Sequence, residues 1–163
     1  MYIIEPITSG HIVRAFDCGE ASLNSFLKNH ALKNDRNNIG KTFVAVTKND
    51  PTIAGYYTLS GGSIKFDTLP ADTDLPKYPI PTAHLGRLAT DRAVQGCGLG
   101  EALLFDALKR TSEVSADLDI HVVELYALNE KAKTFYLQYG FQELADDHLH
   151  LYMKMEAVMQ LVK

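Results

Sequence analysis

A chain of 163 residues is long enough for one domain with a core of its own, and its 46% hydrophobic and 22% charged residues are the proportions of an ordinary globular protein. A net charge of −4 argues against a surface that binds nucleic acid throughout, and two cysteines, Cys18 and Cys97, are too few for a disulfide framework or a zinc site. Six histidines without HxxxH or HExxH spacing give no metal site, no apolar run approaches the roughly 18 to 20 residues of a membrane span, and Met1 to Glu5 lacks the character of a signal peptide. The expected location is therefore cytoplasmic, with no metal and no membrane partner.

In chain order, Tyr2-Ile3-Ile4 is a short apolar strand, followed by turn residues Pro6 and Ser9-Gly10. After Phe16-Asp17-Cys18-Gly19, the positions Leu23, Phe26, Leu27, His30 and Ala31 recur at helical spacing and predict two short helices ending in the polar stretch 34–40. Thr42 to Thr47 and Ile53 to Ser60, joined by Asn49-Asp50-Pro51, predict an antiparallel hairpin. Residues 67–81 hold three acidic groups and Pro70, Pro76, Pro79 and Pro81, and read as a surface loop. A strand at Ala83–Thr90, a helix at Leu99–Thr111, a strand at Ile120–Tyr126, and a helix at Glu130–Tyr139 stopped by Gly140 follow. Phe141 to Leu144 and His150 to Met155 predict a closing hairpin around Asp146-Asp147. The order predicts a single domain over 1–163 of the α+β class, a mixed α/β sandwich.

Charge is uneven along this order. Residues 1–48 carry six basic side chains (Arg14, Lys28, Lys33, Arg36, Lys41, Lys48) against four acidic ones (Glu5, Asp17, Glu20, Asp35), a local +2 that leaves −6 for residues 49–163. The N-terminal end is the one candidate for a basic binding surface.

The segment from Arg87 to Gly100 carries the strongest chemical signal. It joins a strand to a helix through Gln95-Gly96-Cys97-Gly98-Leu99-Gly100. Glycines let the backbone approach a ligand, and the helix N-terminus offers unpaired N–H groups to an anion. Glu101-Ala102 follows the last glycine where a P-loop needs Lys-Ser or Lys-Thr, and the glycine spacing is not that of a dinucleotide-binding fingerprint.

The pattern Gln95-x-x-Gly98-x-Gly100 resembles the signature of the GCN5-related N-acetyltransferases (GNAT), and the likeness extends through the run Asn129 to Phe141. The resemblance implies the GNAT fold, a splayed central mixed sheet flanked by helices, with acetyl-CoA lying between the strands at 83–90 and 120–126. It implies that backbone groups of Leu88, Ala89 and Thr90 pair with the pantetheine arm. Amides of Gln95, Gly96, Cys97, Gly98, Leu99, Gly100 and Glu101 would bind the pyrophosphate, and Asn129 and Phe135 would flank the arm. Tyr136 would act as general acid toward the departing thiolate, a role open to a phenol that is protonated at neutral pH. For the base, Glu124, His84 and His121 are candidates beside a water molecule.

Phe16-x-Cys18-Gly19, Leu23-Asn24-x-Phe26-Leu27, Gly55 to Ser60 and Gly86-Arg87-Leu88-Ala89 further resemble the toxin-type GNAT members of bacterial toxin–antitoxin pairs. That likeness implies acetylation of the α-amino group of aminoacyl-tRNA, a ribbon–helix–helix antitoxin as partner, and a homodimer. Arg87, Lys28, Lys33 and Arg36 would then meet tRNA phosphates. The alternatives are an acetyltransferase for a small amine or a protein amino group, and a non-catalytic acyl-CoA-binding sensor. The terminal stretch Glu156 to Lys163 is expected either to pack across a partner or to cover the sheet edge.

Overall fold

The computed structural model describes residues 1–71 and 73–163; Asp72, one of the acidic residues of the expected loop, lies outside the described residues. In chain order the elements are β1 (Tyr2–Pro6), α1 (Ala21–Asn29), α2 (Ala31–Arg36), β2 (Lys41–Thr47), β3 (Asp50–Ile64), β4 (Ile80–Thr90), α3 (Leu99–Val114), β5 (Val122–Tyr126), α4 (Glu130–Leu137), β6 (Gln142–Leu144), β7 (Asp147–Lys154) and α5 (Met155–Leu161). Single 3-10 turns lie at Phe66–Thr68 and Arg92–Val94. The strands form one seven-stranded sheet in the order β1-β2-β3-β4-β5-β7-β6. The chain divides into two compact units, Met1–Ser60 with Leu85–Ala107, and Gly61–His84 with Leu108–Lys163.

The first unit is built on the antiparallel ladder β1-β2-β3, with Tyr2 opposite Thr47 and Lys41 opposite Leu59. α1 exists because Leu23, Phe26 and Leu27 share one face, and that face packs on Phe16, Val44, Val46, Ile53 and Tyr56. Each such side chain, fully buried, contributes about 1.5–3 kcal/mol. Tyr56 anchors the cluster by donating its hydroxyl to the Leu23 carbonyl at 2.7 Å, with the Phe16 ring edge-on at 5.6 Å and the Phe26 ring stacked at 6.2 Å. Gly55 has no side chain because there is no room for one. A Cβ there would lie 2.9 Å from Leu103 Cδ1 and 3.1 Å from the Ala89 carbonyl oxygen. The glycine therefore lets α3 and β4 close onto β3.

In the second unit β4 pairs in parallel with β5, Thr82 to His84 against Val122 to Glu124. β5 pairs antiparallel with β7, and β7 with β6. Ile64, Leu69, Ile80, Val122, Leu144 and Tyr152 form its core cluster, with Phe66 and Leu75 packed against it. The segment expected as a surface loop is thus pinned from within. Leu69 is buried, and the Thr68 carbonyl accepts from Ala145 N at 3.0 Å. α4 ends at Leu137, two residues before the expected Tyr139, and the turn that follows carries Gly140 at a φ of 102° that costs a glycine little.

Two further differences from the sequence expectation have simple causes. β3 runs to Ile64 rather than ending at Ser60, because Ile64 belongs to the second core. The terminal stretch forms α5 with Met155 and Val158 buried, and α5 lies against β7, which is flanked by β5 and β6 and is not the sheet edge.

Candidate functional site

The glycine turn lies in the first unit. Gly96 and Gly98 hold φ values of 83° and 91°, and a Cβ on either would meet nothing within 4 Å. Their conformation, and not crowding, requires glycine. Gln95 to Gly98 are exposed, while Leu99 turns its side chain into the core and opens α3. The first hydrogen bond of that helix runs from Ala102 N to the Gly98 carbonyl at 3.1 Å, so the amides before Ala102 face outward from the helix start. Such a terminus attracts an anion.

What holds the turn in place was not visible from the glycines. Asp91 Oδ1 accepts from Ala93 N at 2.9 Å, and its Oδ2 accepts from Asp17 N at 3.1 Å. The Gln95 side chain donates to the carbonyls of Thr90 and Cys18 at 3.0 and 3.1 Å. Gln95 is thus a brace whose amide ties the turn to the Asp17–Gly19 corner. That corner is itself fixed: Asp17 Oδ1 accepts from Gly19 N and Asn24 Nδ2, both at 2.9 Å, and these bonds hold its pKa below the ordinary carboxylate value. The segment Phe16 to Gly19 with Asn24 is therefore support for the turn. Leu88 and Thr90 are half-buried and Ala89 is buried on the last part of β4. Gly100 and Glu101 fall in the first turn of α3.

The four expected cationic contacts separate by environment. Lys28 lies in the last turn of α1, Lys33 and Arg36 in the last turn of α2. Lys28, Lys33 and Arg36 are all exposed. Arg87 is half-buried instead, its guanidinium carbon 3.5 Å above the centre of the Phe26 ring, and burial lowers its pKa.

The second unit holds the other expected residues. Asn129 caps α4, its Oδ1 accepting from Ala132 N at 2.9 Å. Phe135 meets the rings of Tyr136 and Tyr139 edge-on at 5.1 and 5.2 Å. Tyr136 is buried between Phe135 and Phe141, and desolvation raises its pKa, so the phenol keeps its proton at neutral pH.

Of the three base candidates, two come together. His84 Nδ1 lies 2.6 Å from Glu124 Oε1, across the β4–β5 pair. Burial works against ionisation of Glu124, but hydrogen bonds and charge from His84 and then His150 more than offset it, and its pKa lies below the ordinary value. His121 stands apart at the start of β5, where it lines a cavity of about 500 Å³ with Pro70, Leu75, Lys154 and Glu156. Two residues that no motif marks join the pair: His150, whose Nε2 lies 2.6 Å from Glu124 Oε2, and Asp146, bonded to His150 Nδ1. Among the described residues no three His, Cys, Asp or Glu side chains converge so as to hold a metal ion, and no helix is long and apolar enough to cross a membrane.

Known proteins share this fold and are similar in sequence along most of the chain. Residues 13–155 match the family described as acetyltransferase (GNAT) domain. The chain is 33% identical over 158 residues to a tRNA-acetylating toxin of Mycobacterium tuberculosis (strain ATCC 25618 / H37Rv), covering 96% of this chain and 93% of the toxin. Among solved structures it is similar to AtaT complexed with acetyl-methionyl-tRNAfMet, with a TM-score of 0.93, 33% identity and full coverage of both chains. It is also similar to a Tyr-to-Phe mutant of the AtaT toxin bound to the C-terminus of the antitoxin AtaR and acetyl-CoA, with a TM-score of 0.84 at 32% identity, covering 99% of this chain and 97% of that one.

Proposed function

The chain belongs to the GNAT acetyltransferase family, and on that premise we propose that it transfers acetyl from acetyl-CoA to the α-amino group of an aminoacyl-tRNA, as the toxin of a toxin–antitoxin pair. The observation that carries this reading is the end-to-end likeness to AtaT in complex with acetyl-methionyl-tRNAfMet. We read residues 1–163 as one catalytic domain, since the family match runs from 13 to 155 through both units. The reaction belongs in the cytoplasm, where charged tRNA is used. The neutralising partner is read as an antitoxin of the ribbon–helix–helix class, in keeping with the relative bound to AtaR.

The turn at 95–101 fits the diphosphate of acetyl-CoA: its two positive-φ glycines leave the backbone bare, and a helix start follows. Acetyl-CoA supplies a thioester whose acyl carbon is open to attack by an amine. Leu88, Ala89 and Thr90 offer backbone groups along β4 to the pantetheine arm, and Asn129 and Phe135 stand at α4 for the same arm. His84, held by Glu124, takes the proton that the attacking ammonium must lose. Tyr136 gives its proton to the thiolate that departs. Lys28, Lys33 and Arg36 meet tRNA phosphates from the ends of α1 and α2, and Arg87, held over the Phe26 ring, offers the same acceptor its guanidinium.

The test is an acetyl-transfer assay with labelled acetyl-CoA that offers charged tRNAs, deacylated tRNAs, polyamines and peptides side by side. Label on charged tRNA alone is the expected result. Label confined to polyamines or peptides would overturn the tRNA reading and leave an acetyltransferase of another acceptor.

A further inference from the structure

His150 is bonded in a way that fixes its proton count. Its Nε2 lies 2.6 Å from Glu124 Oε2, and its Nδ1 lies 2.9 and 3.0 Å from the two oxygens of Asp146. A neutral imidazole has one N–H, so it would set a lone pair against a carboxylate on one side. The imidazolium donates on both sides and sits between two opposite charges, with its side chain only 4% exposed. Tyr126 stacks face to face on the ring, centroids 3.9 Å apart and planes 11° apart, which also favours a cation.

The consequence passes along the chain of bonds. With His150 donating to Oε2, Glu124 remains a carboxylate and its Oε1 must accept from His84 Nδ1. His84 is thereby held as the Nδ1–H tautomer, with the lone pair of Nε2 left as the base. Two carboxylates and one imidazolium leave one net negative charge, which proton uptake by His84 cancels. Thr82, two residues before His84 and so on the same side of β4, has a buried Oγ1 without a hydrogen-bond partner among the described residues. A Cβ at Gly62 would stand 3.0 Å from that oxygen and 3.9 Å from Glu124 Oε1, so glycine at this position lets β3 pass close to the pair without pressing on Thr82. Both ends of the chain reach solvent, the Asp146 side chain being 37% exposed and that of His84 32%, while His150 and Glu124 between them are buried.

We infer that His150 and Asp146 are positioning residues for acetyl transfer, a buried imidazolium–carboxylate pair that keeps Glu124 ionised and so sets the tautomer and basicity of His84. This rests on the amine acetylation proposed above, with His84 as its base. The other titratable groups around the chain are Tyr126 on β5, Tyr152 on β7 and Asp147 beside Asp146; Gly62 on β3 brings none.

Two readouts on the full chain test it. Nitrogen-resolved NMR of the imidazoles near neutral pH is expected to show both nitrogens of His150 protonated and His84 protonated at Nδ1. In Asp146→Asn, His150 is expected to fall to a single tautomer. The pH dependence of kcat/KM is then measured with whichever of charged tRNA, polyamine or peptide the wild type labels. Asp146→Asn loses the carboxylate charge and, with His150 then neutral, the imidazolium charge as well, so the net charge of the chain is unchanged but the cation bonded to Glu124 is gone. With the Glu124 charge no longer offset, the acid limb is expected to move to higher pH and the plateau to fall roughly tenfold, with His84→Gln losing about a hundredfold or more. Asp146→Glu restores the limb. A structural role alone would lower the amplitude and leave the limb in place. A neutral His150 in the wild type, or an unmoved acid limb in Asp146→Asn, would overturn the inference. Failure of charged tRNA beside labelling of another amine overturns the substrate reading only, because the limb is then read with that amine.

Discussion

At the scale of single residues, the proposed proton donor, Tyr136, and the proposed proton acceptor, His84, have opposite surroundings. Tyr136 is enclosed by the rings of Phe135 and Phe141, and its burial raises the pKa and keeps the proton until a strong base appears. His84 is about a third exposed and leans on an ionised, buried carboxylate. Tyr136→Phe keeps the ring and its packing and removes only the hydroxyl. We expect kcat to fall about 10²- to 10⁴-fold with the dissociation constant for acetyl-CoA unchanged, read by single-turnover rates and titration calorimetry. An unchanged rate would remove Tyr136 from the mechanism. Tyr136 was legible in the sequence because it stands in a continuous run from Asn129 to Phe141. The Asp146–His150–Glu124–His84 chain was legible only in part. Its members sit in a turn and on three strands, His84 and Glu124 40 residues apart and Glu124 and His150 26 apart, and only strand pairing brings them together.

At the scale of elements, the turn between β4 and α3 is the most constrained piece of backbone with no side chain to show for it. Gly98 holds a φ of 91° in open space, so Gly98→Ala meets no steric clash but forces an L-residue into the left-handed region, at about 1–2 kcal/mol. The expected outcome is a raised KM for acetyl-CoA with kcat at saturation largely kept, because Tyr136 and His84 lie on other elements. An unchanged KM would separate the turn from cofactor binding. The sequence showed this turn clearly, since glycines at short spacing before an apolar helix have few other uses. It did not show that Gln95 braces the turn against Cys18, 77 residues earlier. It also left α5 unassigned, where the inward face is only Met155 and Val158, too short a stripe to reveal a period. The proline-rich stretch hid its anchor for a similar reason: Leu69 is one buried residue among turn formers.

At the scale of the whole molecule, an acidic protein is proposed to act on a polyanion. The net charge of −4 conceals a locally positive N-terminal stretch, and Lys28, Lys33 and Arg36 stand at the C-terminal turns of α1 and α2. Replacing all three by alanine is expected to raise KM for the charged tRNA and leave KM for acetyl-CoA alone. It should also flatten the salt dependence by roughly 0.7 to 0.9 in log–log slope for each phosphate no longer neutralised. A salt slope equal to the wild type would move the tRNA to another face. The fold class and the glycine turn before α3 were readable because glycine patterning and hydrophobic period are local. The acceptor was less so, because its recognition depends on where side chains from distant segments meet.

The most direct test of aminoacyl-tRNA acetylation is to locate the transferred acetyl group. Charged tRNAs are incubated with the protein and labelled acetyl-CoA, digested with nuclease, and the 3′-terminal aminoacyl-adenosines are analysed by mass spectrometry. The acetyl group is expected on the α-amino nitrogen of the amino acid, with no product from deacylated tRNA. Acetyl recovered only on polyamines or peptides, with every aminoacyl-adenosine unmodified, would contradict it.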